Sequence, residues 1–219
     1  MTMFEIVRKN IFRYVTPPLG VFAVMAIYAF SSGINNPVNF AGLLGIVTFI
    51  VTLAPALVIE MEEERNKGYA FLATLPVAIR DVVRVKFMMT FFSILALGAA
   101  GLALLASIGL PGYLLSESAK TLSLGIAFCL IFESIILVLA LRFGSAPALV
   151  VLLFTTLMLN ILTFVVASAG FAGGSIVTIA GKIFSAVPWP FAAILLAAGV
   201  AVFLMMIPVG ARVKESRIV

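Results

Sequence analysis

The sequence predicts an all-α polytopic membrane protein with six transmembrane helices and both termini in the cytoplasm. Three observations carry that expectation. First, 63% of the 219 residues are hydrophobic and 11% are charged, whereas soluble domains are roughly 45–50% apolar; so few charges cannot clothe a soluble core of this size. Second, windows of about 20 apolar residues, the length that crosses a bilayer as a helix, recur along the chain. Third, Lys and Arg divide unevenly between the connecting segments. With the N-terminus inside, Arg8, Lys9, Arg13, Arg65, Lys67, Arg80, Arg84, Lys86, Arg142, Arg212, Lys214 and Arg217 fall on the cytoplasmic side, and only Lys120 and Lys182 outside. Positive charge collects on the inner side of short loops, so this split sets the orientation, and it also explains the net charge of +5 without nucleic acid.

Taken in order, residues 1–18 read as an amphipathic elbow helix lying in the membrane interface. Phe4, Val7, Ile11 and Val15 share one face, with Glu5, Lys9 and Arg13 largely opposite, a pattern that suits a helix lying on a bilayer better than one crossing it. A cleaved signal peptide is the competing reading, since basic residues precede an apolar stretch. The six spans are expected at 19–34, 38–59, 87–110, 121–141, 147–169 and 188–209. Pro55 falls near the inner end of the second and predicts a kink. Residues 170–187 are expected outside, yet Ile176, Ile179, Ile183 and Phe184 recur at helical spacing; a re-entrant or surface-lying helix fits better than a solvated loop. Trp189 suits an outer interfacial anchor. Ala193, Ala197 and Ala201 form an i,i+4 ridge suited to close helix contact. The whole chain, 1–219, reads as one transmembrane domain with no separate soluble domain.

The charged part of the chain is concentrated in 60–86, where ten of the 23 charged residues lie (14 Lys or Arg and 9 Asp or Glu in all). Glu60, Glu62, Glu63 and Glu64 close the second span. Acid at a helix C-terminus opposes the helix dipole, so either the helix runs on into the cytosol or these groups have cationic partners. An i,i+4 pair of Glu63 with Lys67 would support the extension. Consecutive helical residues point in different directions, which disfavours a metal site. After Asn66-Lys67-Gly68, Pro76 fits the first turn of a helix that carries Arg80, Asp81, Arg84 and Lys86, with Ile79, Val82, Val83 and Phe87 on its apolar side. Such a helix either rests on lipid with its arginines snorkelling to phosphates or docks a cytoplasmic partner.

Residue types that are missing narrow the chemistry. The chain has no histidine, which removes most general-base and zinc chemistry, and no GxxxxGK[ST] loop to cradle nucleotide phosphates. Cys129 is the single cysteine, so no disulfide forms within the chain. Nothing resembles an enzyme's reactive constellation. Glu133, near the centre of the fourth span, is costly to insert if charged, on the order of 3 kcal/mol, and should face protein, water or a partner, or carry a proton. Asn160 in the fifth span is the polar group expected at similar depth. These two residues are candidate lining for a substrate pathway, or a structural pair.

The acidic helix end followed by KGYAFLATLPVAIRDVVRVKF resembles the permease subunits of ABC-2 type transporters. In that family a Leu-Pro-Val step, a basic residue and a Lys before the third helix recur, and Arg80, Val83 and Lys86 fit the pattern. Ala78-Ile79 replaces a family-typical Ser before the Arg. The resemblance extends to the architecture: elbow helix, six spans, a coupling helix between the second and third, and apolar re-entrant structure before the sixth. It implies a permease dimer, homomeric or heteromeric, in a prokaryotic inner membrane and surrounded by its lipids, moving substrate outward. ATP and Mg would sit on two separate ABC ATP-binding subunits, with no cofactor in this chain. It further implies coupling through Pro76, Ile79, Arg80, Asp81, Val83, Arg84 and Lys86, beside a cytoplasmic acidic gate at Glu60, Glu62, Glu63 and Glu64. Two alternatives stay open at this point: a secondary transporter with Glu133 as its proton site, and a substrate-binding membrane module of a vitamin-uptake system. Neither requires the charged inner segment.

Overall fold

The computed structural model describes residues 20, 21, 23, 24, 27, 37–65, 78–154 and 186–218. The expected elbow helix, most of the first span, most of the fifth and nearly all of the outer segment 170–187 lie outside the described residues, as do Pro76 and Asn160. Among those described, the chain is helical throughout apart from short turns. We number the helices α1 (Pro37–Arg65), α2 (Ile79–Ser107), α3 (Gly112–Phe143), α4 (Ser145–Phe154) and α5 (Trp189–Ile218). All except α4 are long and apolar enough to cross a membrane.

These helices outrun the apolar segments that nucleate them. α1 has 29 residues, about 43 Å at 1.5 Å per residue, against a hydrocarbon core of about 30 Å. It contains Pro55 without ending there and continues through the four glutamates to Arg65. Likewise, residues 79–86 are not an element separate from the third span: they are the opening turns of α2. α3 begins well before the expected span, so that Glu117 and Lys120 lie within the helix, paired at 2.7 Å.

Two glycines make the turns possible. Gly109 (φ +72°) lies in the short turn from α2 to α3, and Gly144 (φ +100°) lets α4 start directly after α3; both adopt backbone that side-chain-bearing residues rarely tolerate. At the first turn the Gly109 N–H donates to the Ala106 carbonyl, and the Pro111 carbonyl accepts from Leu115. With these reversals α3 lies centrally, in contact with α1, α2 and α5. The main core joins Phe87 and Ile94 of α2, Leu122 and Leu130 of α3 and Phe203 of α5, where the Phe87 and Phe203 rings meet edge to face at 5.7 Å. A smaller cluster of Leu53, Leu57, Ile136, Ala140 and Ala148 packs α4 onto α1 and α3.

Small residues set the closest helix approaches, as van der Waals packing in a membrane favours. A Cβ on Gly125 would stand 3.1 Å from the Gly45 Cα, and one on Gly199 would stand 3.0 Å from the Ala127 carbonyl oxygen. Among the described residues the ridge singled out in the sequence does not face the bundle: Ala193, Ala197 and Ala201 are exposed, while Ala192, Gly199 and Phe203 face inward. Backbone cannot yield as a side-chain tip can. Gly125→Leu should therefore cost about 1–3 kcal/mol or more by overpacking, read as a lowered melting temperature in detergent. Gly112→Ala, where an added Cβ meets nothing within 4 Å, should leave it nearly unchanged.

Candidate functional site

The C-terminal ends of α1, α3 and α5 and the N-terminal ends of α2 and α4 meet at one end of the bundle, and the charges collect there. Glu60 of α1 is buried and binds two ammonium groups: Lys86 of α2 donates to Oε2 at 2.7 Å, and Lys214 of α5 donates to Oε1 at 2.8 Å. Lys86 also donates to Glu63. Glu64 turns the other way and accepts from the Ser145 backbone N–H at 2.9 Å and its hydroxyl at 2.6 Å. A carboxylate thereby satisfies one of the open N–H groups at the start of α4, where the helix dipole favours negative charge.

The electrostatic puzzle of acid at a helix C-terminus is resolved by partners from other helices. Desolvating two lysines and a glutamate is expensive, and only close mutual contact offsets it. At the same end of the bundle the exposed pairs are looser: Arg80 reaches Glu215 at 3.4 Å and Arg84 reaches Asp81 at 3.3 Å, all half-exposed. Such pairs contribute about 0–1 kcal/mol. Glu62 is exposed.

Midway along the bundle, α3 presents Gly125, Cys129 and Glu133 to α1 at i, i+4 and i+8. Gly125 meets Gly45 backbone to backbone, Cys129 Sγ contacts the Gly45 carbonyl at 3.5 Å, and Glu133 Oε1 is hydrogen-bonded to Thr52 Oγ1. Glu133 is 0% exposed, and its Oε2 has no hydrogen-bond partner among the described residues. The expected partner, Asn160, lies outside the described residues; the observed one is Thr52. Thr52 was not singled out in the sequence; the signal that could have found it is the spacing of Thr48 and Thr52, one turn apart in an otherwise apolar span.

A family model described as ABC-2 family transporter protein matches residues 6–213. The chain belongs to the ABC-2 transporter family. It is accordingly a multi-pass membrane permease subunit of an ABC transporter, a transport subunit and not a catalytic one, and membership implies partnership with ABC ATP-binding subunits. No curated protein and no solved structure matches it.

In this permease the residues expected to couple to the ATPase divide into two groups. Arg80, Asp81 and Arg84 lie on the outer side of the head of α2, and Ile79 is half-buried. Val83 is fully buried in the permease's own core and Lys86 is occupied with Glu60 and Glu63. Lys214, Glu215 and Ser145 belong to the same cluster and were not singled out in the sequence. Lys214 and Glu215 stand in a C-terminal run whose charges inform topology only, and Ser145 follows the Gly144 break as a helix-start residue should.

Proposed function

We propose that this permease forms the substrate pathway of an ATP-driven exporter as a dimer in a prokaryotic inner membrane, driven by separate ATP-binding subunits that hold ATP and Mg and push on the head of α2. The carrying observation is the continuity of α2: its exposed charged head, Arg80 to Arg84, passes without a break into the membrane-crossing part of the same helix. Force applied at the head reaches the bilayer directly. Lys86, just beyond, fastens that helix to α1, and through Glu60 to α5. Glu60, Glu63 and Glu64 then fasten helix ends together, with Glu62 the member of the acidic run turned to solvent.

The six-span arrangement with both termini inside is part of the proposal, supported by the gathering of Arg65, Arg80, Arg84, Lys86, Arg142, Arg212 and Lys214 at one end of the bundle. Two measurements test it together. Cysteine at Ser116 should react with an impermeant thiol reagent in intact cells, and cysteine at Ser216 only after lysis; both positions are exposed. The affinity-purified permease should bring down an ATP-binding subunit whose hydrolysis rises in its presence. External labelling at Ser216, or purification of a transport-competent chain without any ATPase, overturns the proposal.

A further inference from the structure

The hydroxyls of α1 leave Glu133 with a specific task. Thr52 Oγ1 lies 2.7 Å from the Thr48 carbonyl and is also hydrogen-bonded to Glu133 Oε1. One turn earlier, Thr48 Oγ1 donates to the Leu44 carbonyl at 2.7 Å. A hydroxyl has one hydrogen to give, and a carbonyl has none. If the Thr52 hydrogen goes to the Thr48 carbonyl, as the same geometry one turn earlier requires of Thr48, the hydrogen between Thr52 and Glu133 must come from the carboxyl group. An ionised Glu133 would instead hold a full charge, with 0% exposure and one oxygen without a partner among the described residues, at a cost that a single hydroxyl does not offset. Cys129, one turn before it on α3, donates to α1 in the same sense, and two turns before Glu133 the same two helices meet backbone to backbone at Gly45 and Gly125.

We propose that Glu133 is a binding site for a resident proton: a neutral carboxylic acid whose O–H, donated to Thr52, latches α3 to α1. The acid is a fixed fastener of the seam and not a wall of the route that cargo takes. Among the described residues the titratable group beside it is Cys129, on its own helix; α1 presents Thr52, Thr48 and backbone there, and no charge.

Infrared spectroscopy of the purified permease in detergent reads the proton directly. The difference spectrum of wild type minus Glu133→Gln should contain the carbonyl-stretch band of a protonated carboxylic acid at neutral pH, and the band should persist in alkaline buffer. Thr52→Val, which removes the acceptor, should move the band toward the frequency of a free acid. Glu133→Gln should keep the wild-type melting temperature, because its amide donates where the acid did, whereas Glu133→Leu should lower it. A carboxylate signature in place of the acid band at neutral pH, or an acid band indifferent to Thr52→Val, overturns the proposal. The Thr52→Val comparison decides the matter even if no Glu133 variant folds.

Discussion

Glu60→Gln should destabilise the permease by about 3–5 kcal/mol, the loss typical when one member of a buried ionic group is removed. The carboxylate joins three helices through two ammonium groups, at 2.7 and 2.8 Å. The amide keeps one acceptor oxygen, turns its NH2 donor toward the other lysine, and brings no negative charge to the two ammonium groups. The effect is checked by thermal unfolding in detergent, with Glu62→Gln as the exposed control, expected within about 0.5 kcal/mol of wild type. Adding Lys214→Met to Glu60→Gln should recover part of the loss, since the uncompensated charge is reduced. Strict additivity of the two substitutions would show that Glu60 and Lys214 are not energetically coupled.

The second large effect is on assembly. Arg80→Glu together with Arg84→Glu should weaken association with the ATP-binding subunit by about 2–5 kcal/mol, roughly thirty-fold to several thousand-fold, while membrane insertion is retained. The internal pairs of these arginines, 3.4 Å to Glu215 and 3.3 Å to Asp81, are exposed enough to exchange readily for a partner's carboxylates. Glu215→Ala separates the two contributions: it removes the internal partner of Arg80 and should leave association intact. Co-purification and stimulated hydrolysis that survive the double reversal would mean that the head of α2 rests on lipid, where reversal costs far less.

The sequence already showed the helical membrane class, the positions of the long helices and the concentration of charge at 60–86, because hydropathy and charge are properties of a single segment. Pairings between segments were less legible. That Glu60 needed a cation followed from its place at a helix C-terminus; that the cations are Lys86 and Lys214, 26 and 154 positions away, depends on which helix ends meet. For the same reason Glu133 could be recognised as a group needing a partner, but Thr52 could not be chosen over Asn160. The alanine ridge of α5 shows the converse: small residues permit close approach, and the neighbouring face with Gly199 is the one that α3 occupies. Depth in a bilayer is encoded locally, whereas helix rotation is set by the neighbours.

If the ATP-binding subunit pushes on the head of α2 as proposed, the anchor at Lys86 would make that helix a lever of the first class. With the fulcrum at the Glu60 contact, the arm from Ile79 to Lys86 is about 11 Å and the arm from Lys86 to Ser107 about 32 Å, at 1.5 Å of rise per residue. A small sideways stroke at the short arm is therefore magnified about three-fold at the far side of the membrane, in the opposite direction and with proportionately less force. On that proposal, closing one end of the bundle and opening the other would be the same movement.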